Sequence, residues 1–193
     1  MTNEENKFPF IETERLILTL PDETAAWQMV IFVTENREHL SRWEPLHSDE
    51  YFTEDYWREQ FGIARKEFLA ERSLKLVLFH DGQIIGGCNF TNIVRGAFQA
   101  CYLGYSIDYR FEGKGLMYEA VKAGISHVFN EMKLHRIMAN YIPTNERSGN
   151  LLKKLGFAVE GYARDYLLIN GNWQDHIMTS LTNHNLKTED IRK

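Results

Sequence analysis

A β-type run, ACYLGYSID (100–108), leads with no linker into YRFEGKGL and then into LMYEAVKAGISHVFNEM, where Met117, Ala120, Val121, Ile125, Val128 and Met132 recur at helical spacing. A strand that stops at two glycines and restarts at once as an amphipathic helix obliges that helix to fold back over the strand's own sheet. The turn also points unpaired backbone N–H groups and the positive end of a helix dipole at one spot, an arrangement that holds phosphate. Glycine suits it, because a side chain would keep an anion away from the amides and the turn can need φ values other residues avoid. Two glycines easing a strand into a helix, with no ligand, is the competing reading.

Two familiar phosphate motifs fail by inspection. A nucleoside triphosphatase loop requires a GK pair followed by Ser or Thr, whereas Tyr118 stands five residues after Gly113. A dinucleotide fingerprint requires a third glycine where Tyr118 stands.

Elsewhere ERLILTL (14–20) reads as a short strand, and Asp22 is placed to cap a helix through Ala26, Met29, Val30 and Val33. The proline-bearing segment RWEPLHSDEYF interrupts, and Thr53 caps a second helix. His80-Asp-Gly-Gln83 between LKLVLFH and QIIGGCNFTNI predicts a tight hairpin, as does Asn170-Gly171 near the C-terminus. HRIMANY reads as a buried strand and IPTNERSGNLLKKLGF as turn, cap, helix and glycine stop. The order β, α, α, β, β, β, α, β, α, β, β suits a single α/β domain, a mixed sheet with helices on its faces. Its expected bounds are 12–182, between an N-terminal extension (1–11) and a tail (183–193).

At 193 residues the chain supports one sizeable core. The N-terminus lacks a basic segment followed by an apolar run, and no stretch has the length of a membrane span, so a cytoplasmic protein with no membrane partner is expected. Cys88 and Cys101 form no CxxC and no histidine has zinc-like spacing, so buried thiols and no metal are expected. The net charge of -5 offers no general attraction for nucleic acid and mildly favours a basic partner.

Arg110-x-x-Gly113-x-Gly115 between strand and amphipathic helix, followed by Asn145-Glu-Arg-Ser148 and Leu155-Gly-Phe157, resembles the Gcn5-related N-acetyltransferase (GNAT) family, whose element order also matches. With RWEP, GCNFTNIVRGAFQACYLGYSID and EGYARDYLLINGNWQDH, the chain resembles the branch that acetylates the N-terminal alanine of a small-subunit ribosomal protein. The resemblance spans about residues 12–182. It implies acetyl-CoA as co-substrate and a ribosomal protein N-terminus as acceptor, with the assembling small subunit as a further partner. A small-amine acetyltransferase and a ribosome-assembly protein with dispensable catalysis are the alternatives.

The resemblance also implies site residues. The coenzyme is expected on Arg110, Phe111, Glu112, Gly113, Lys114, Gly115, Leu116 and Met117, with Leu103, Tyr105 and Ile107 along the pantetheine and Asn140, Asn145 and Ser148 nearby. Where the family commonly places a tyrosine for the departing thiolate this chain has Leu152, so Ser148, one turn earlier, is the expected substitute, its alternative being an ordinary helix-start residue. The general base stays open among Glu44, Tyr105, Asp165 and Tyr166. No histidine is assigned a catalytic role, and His135 and His176 are read as satisfying local hydrogen bonds.

Overall fold

The computed structural model describes residues 7–191, so parts of the expected extension and tail lie outside the described residues. The strands are β1 (Phe10–Glu12), β2 (Ile17–Thr19), β3 (Leu74–His80), β4 (Gln83–Val94), β5 (Ala100–Ile107), β6 (Arg136–Tyr141), β7 (Ala158–Ile169) and β8 (Asn172–Thr182). The helices are α1 (Ala26–Glu35), α2 (Arg37–Leu40), α3 (Glu54–Leu69), α4 (Leu116–Asn130) and α5 (Glu146–Lys154). One sheet runs in the order β1-β2-β3-β4-β5-β6-β8-β7.

Every neighbouring pair is antiparallel except β5 and β6, which are parallel. That parallel pairing covers only Ala100, Cys101 and Tyr102 against Arg136, Ile137 and Met138. β5 stays paired with β4 as far as Ile107, and β6 stays paired with β8 as far as Tyr141. The two strands therefore fork after Tyr102 and Met138, leaving main-chain groups of β5 from Leu103 onward facing the opening.

The two faces of the sheet carry different cores because side chains alternate along each strand. Leu103, Tyr105 and Ile107 join the cluster built with Leu116, Ala120, Val121 and Val128 of α4 and Leu152 of α5. The other face packs Val77 and Ile84 against Met29, Phe32 and Val33 of α1 and Phe61 of α3. Tyr102, Gly104 and Ser106 point to this second face, opposite Thr91, Asn89 and Gly87 of β4.

Both expected hairpins form, with positive φ at Asp81 and Gly82 (49° and 76°) and at Asn170 and Gly171 (46° and 75°). Thr53 caps α3 by accepting from Tyr56 N, and Asn145 caps α5 by accepting from Ser148 N. Three details differ from expectation. Strand β1 is added, straddling the expected boundary at residue 12 and pairing with β2. A one-turn helix, α2, stands between the two long helices expected after the first strand. Asp22 caps a 3-10 turn, Glu23–Ala25, from which α1 continues without a side-chain cap. Among the described residues no helix is long and apolar enough to cross a membrane.

Candidate active site

Directly after β5 the chain is fastened to its surroundings. Asp108 N donates to Ile85 O at 2.8 Å, and the Asp108 side chain is 1% exposed. Its carboxylate accepts from Arg110 N at 2.8 Å and from Arg110 Nε at 3.0 Å, and Arg110 also meets Glu35 Oε2, at the end of α1, at 2.6 Å. Burial alone would raise the Asp108 carboxyl, but its bonds to Arg110 and Asn36 and the Arg110 charge outweigh burial and hold it below the ordinary carboxylate range. Asn36 is fully buried; its Nδ2 donates to Phe32 O at 2.9 Å and its Oδ1 accepts from Tyr109 N at 3.0 Å.

The second half of the loop turns through left-handed Gly113 (φ 72°) and Gly115 (φ 78°), the latter capping α4. Helix geometry leaves the first N–H groups of α4, about four of them, without an intrahelical acceptor. A Cβ at Gly113 would meet nothing within 4 Å, so the loop is open on that side. Arg15 braces the loop from behind. It donates to Lys114 O at 3.0 Å and to Glu119 Oε2 at 2.8 Å, while Thr13 Oγ1 donates to Glu119 Oε1 at 2.7 Å. Glu112 binds Arg147 of α5 and His39 of α2, the latter at 3.1 Å.

At the fork itself, Tyr105 and Ser148 bring their hydroxyl oxygens to 2.8 Å. α5 reaches this position because Gly149 lies flat on the Tyr141 ring, where a Cβ would stand 2.7 Å from Cε2. Leu152, one turn on, is buried in the core, as its place in the register implies. Burial pushes the Tyr105 phenol up to about 12, with the Ser148 hydrogen bond opposing. Tyr105 therefore stays protonated at neutral pH, with a hydroxyl hydrogen it can share with Ser148.

The opposite face of the fork carries a second polar group. Asn140, two residues past the last β6 pairing with β5, donates to Tyr166 Oη at 3.3 Å, and its Oδ1 accepts from Thr179 N at 3.4 Å. Tyr102 also hydrogen-bonds Tyr166, whose ring lies 5.3 Å from that of His176. Farther out, Glu44 O accepts from Asn170 N at 3.0 Å, joining the RWEPLH segment to the second hairpin beside a cavity of about 90 Å³. Glu44 Oε2 meets His47 Nε2 at 3.2 Å, and His47 stacks on Tyr51 at 3.7 Å. Burial raises the Glu44 carboxyl, and His47 opposes it.

Fork and loop thus bring together Leu103, Tyr105, Ile107, Asn145 and Ser148 with residues 110–117, while Asn140 faces the other side of the opening. Three expected contributors make contacts within the protein. Arg110 is neutralised by Asp108 and Glu35, so its charge does not stand free for a phosphate. Lys114 Nζ lies 4.9 Å from the Phe111 ring. Asp165 is exposed on β7, has left-handed φ, 46°, and donates its N–H to Asp175 Oδ1 at 2.9 Å. His176 Nδ1 pairs with Gln174 O at 3.0 Å, the local role expected of it, and both cysteines are buried. The braces by Arg15, Glu119 and Glu112 went unforeseen, since no local pattern links residues 35 to 106 apart.

Residues 15–158 match the family model described as the acetyltransferase (GNAT) domain. The chain belongs to the GNAT acetyltransferases. It is 44% identical over 174 residues to the [ribosomal protein uS5]-alanine N-acetyltransferase of Escherichia coli K12, covering 89% of this chain and 90% of that protein. It is 34% identical over 152 residues to a probable N-acetyltransferase, YjcK, of Bacillus subtilis, covering 78% and 84%. Among solved structures, a ribosomal-protein-S5-alanine acetyltransferase from Vibrio fischeri superposes with TM-score 0.89 at 38% identity, over 93% of this chain and 99% of that one. Mycobacterium smegmatis RimJ, solved with CoA-disulfide, superposes with TM-score 0.85 at 26% identity, over 94% and 89%. As a GNAT enzyme the chain is an N-acetyltransferase whose acetyl donor is acetyl-CoA.

Proposed function

We propose that this GNAT enzyme transfers the acetyl group of acetyl-CoA to the α-amine of an N-terminal alanine, on ribosomal protein uS5 or its close counterpart. The observation that carries the reading is the 44% identity to the Escherichia coli uS5-alanine enzyme over nine-tenths of both chains. The likeness to a spermidine N(1)-acetyltransferase, by contrast, is 29% over 79 residues and covers 41% of this chain. A small-amine substrate has the weaker support.

The coenzyme suits the residues present. The amides from Gly113 into α4 fit a pyrophosphate, since each N–H and the helix dipole favour negative charge there, and Lys114 keeps its charge beside them. Arg110 serves by fixing the loop to Asp108 and α1. Main-chain groups of Leu103, Tyr105 and Ile107, facing the fork, are the partners for the pantetheine, and an N–H among them suits the thioester oxygen, where negative charge develops. Ser148 is the donor to the departing sulfur. Of the two directions the 2.8 Å contact allows, Tyr105 donating to Ser148 Oγ is the one that leaves the serine hydroxyl hydrogen directed at the thiolate.

The amine asks less of the protein. An α-amine with pKa near 7.7 to 8.0 is already about a tenth unprotonated at neutral pH, so one modest base suffices. Glu44, its carboxyl raised by burial, is the base candidate this geometry favours over exposed Asp165. The test compares kcat/KM for an Ala-starting peptide, an N-terminally blocked lysine peptide and spermidine. Preference for the first by at least about a hundred-fold is expected, because a lysine of pKa near 10.4 leaves under about a thousandth unprotonated at neutral pH. Preference for the blocked lysine peptide, or activity confined to spermidine, would overturn the reading.

A further inference from the structure

The edge strand β7 breaks register against β8 at one place. Ala163 pairs with His176 and Leu167 with Gln174, so residues 164–166 stand opposite Asp175 alone. The distortion is held by built contacts. Asp175 Oδ1 accepts from Asp165 N at 2.9 Å, and Asp175 Oδ2 accepts from Tyr162 Oη at 2.5 Å. Asp165 adopts φ 46°, a left-handed conformation that aspartate tolerates better than most residues and that a regular strand does not use. Bulges of this kind re-aim a side chain.

The re-aimed side chain is that of Tyr166. Its ring lies against His176, and its hydroxyl takes hydrogen bonds with Tyr102 of β5 and Asn140 of β6. Tyr102 is the last β5 residue paired with β6, and Asn140 stands two beyond Met138, the last paired residue of β6. Tyr166 therefore bridges the two strands where they part, on the face away from Ser148 and Tyr105. Gly104, next along the fork on that same face, has nothing within 4 Å of where a Cβ would be, so the face is open beyond Tyr166. An amine reaching a thioester held along β5 from this open side brings its first side chain up to the Tyr166 ring.

We propose that Tyr166 sets the upper size of the acceptor's first side chain, the bulge at Asp165 and the Asp175 contacts being the device that holds it there. This rests on the N-terminal acetyltransferase reading above and deepens it. A ring pinned at its hydroxyl by two strands and at its edge by buried His176 yields little, so a branched first residue meets a fixed wall while alanine fits. The alternative role for the bulge is to blunt an exposed edge strand against pairing with other chains. That role does not involve the ring.

The experiment measures kcat/KM on two peptides that differ only in the first residue, alanine or leucine, for the parent, Tyr166→Ala, Tyr166→Phe and Asp175→Ala. Tyr166→Ala should raise the leucine-to-alanine ratio by at least about ten-fold, a difference a side-chain pocket readily supplies. Tyr166→Phe, which keeps the ring but loses its hydroxyl anchors, should move the ratio less than Tyr166→Ala, and Asp175→Ala should move it in the same direction by freeing the bulge. Tyr166→Val replaces Tyr166→Ala if the alanine variant does not fold. A folded Tyr166→Ala or Tyr166→Val enzyme with the parent's ratio overturns the proposal, as does a parent that takes both peptides equally. If the parent acetylates neither peptide but accepts spermidine, the N-terminal reading itself fails, a result distinct from an unchanged ratio.

Discussion

Replacing Asp108 with asparagine should uncouple the coenzyme loop from the sheet while keeping the size of the side chain. The carboxylate is 1% exposed and accepts from Arg110 N and from the Arg110 guanidinium, with a further bond to Asn36. Hydrogen bonds to a charged group contribute about 1.5–3 kcal/mol each. Arg110, however, is 49% exposed and keeps Glu35, so solvent and that second carboxylate recover much of its share. The net loss for Asp108→Asn should be about 2–3 kcal/mol, which for a chain of this length lowers Tm by about 4–12 °C. Because the folded-state pKa is depressed, this stabilisation is complete above the unfolded carboxyl value, near 3.9, and is lost as pH falls through the folded value. Melts of parent and variant should differ at pH 7 and converge as pH falls below the ordinary carboxyl range. Coenzyme affinity should fall in parallel at pH 7, by about ten-fold. A variant with parent Tm and parent affinity would refute the claim that Asp108 and Arg110 hold the loop in its binding shape.

Other outcomes follow from the site. Gly115→Asp, read by calorimetry on the folded variant, should abolish coenzyme A binding, because it strains a φ of 78° and its Cβ stands 3.6 Å from Arg15 Nη2, so the new carboxylate competes for the arginine that braces the loop at Lys114. Ser148→Ala should lower kcat by about ten-fold or more in a chemistry-limited assay with coenzyme affinity unchanged, since the thiolate appears only as the bond breaks. Tyr105→Phe should lower kcat by a smaller factor, about three- to ten-fold, and should have almost no further effect on Ser148→Ala, because it acts through the serine. The Glu44 carboxyl is raised in the folded state, so it favours folding below the ordinary carboxyl range and loses that contribution as pH rises through the folded value. Glu44→Gln should thus be at least as stable as the parent at pH 7, and should remove an acid limb of kcat/KM that lies above the ordinary glutamate range.

The elements that could be read in the sequence are those whose signals are local. Asp81-Gly82 and Asn170-Gly171 have only two residues to turn in, so composition alone dictates the geometry. The α4 stripe and the Asn145 cap depend on neighbours within one or two helical turns. Strand β1 was not legible because three residues cannot display a period, and it exists only through pairing with β2. Arg110 was read as a phosphate ligand because its partners, Asp108 beneath it and Glu35 seventy-five residues earlier, meet it only in the fold. The same holds for the Tyr105 and Ser148 pair and for Arg15 behind the loop. The bulge that turns Tyr166 inward depends on Asp175 from the neighbouring strand, so sequence reasoning singled out Asp165 for its charge and missed its backbone.

The most direct test of the account is to incubate the purified enzyme with acetyl-CoA and full-length uS5 whose N-terminal alanine is unmodified, and to locate the added group by fragmentation mass spectrometry. A single acetyl group on the α-nitrogen of the first residue, formed by the parent and lost with Gly115→Asp, is the expected result. Acetyl groups on lysine side chains, or unmodified uS5 beside rapid acetylation of spermidine, would contradict it.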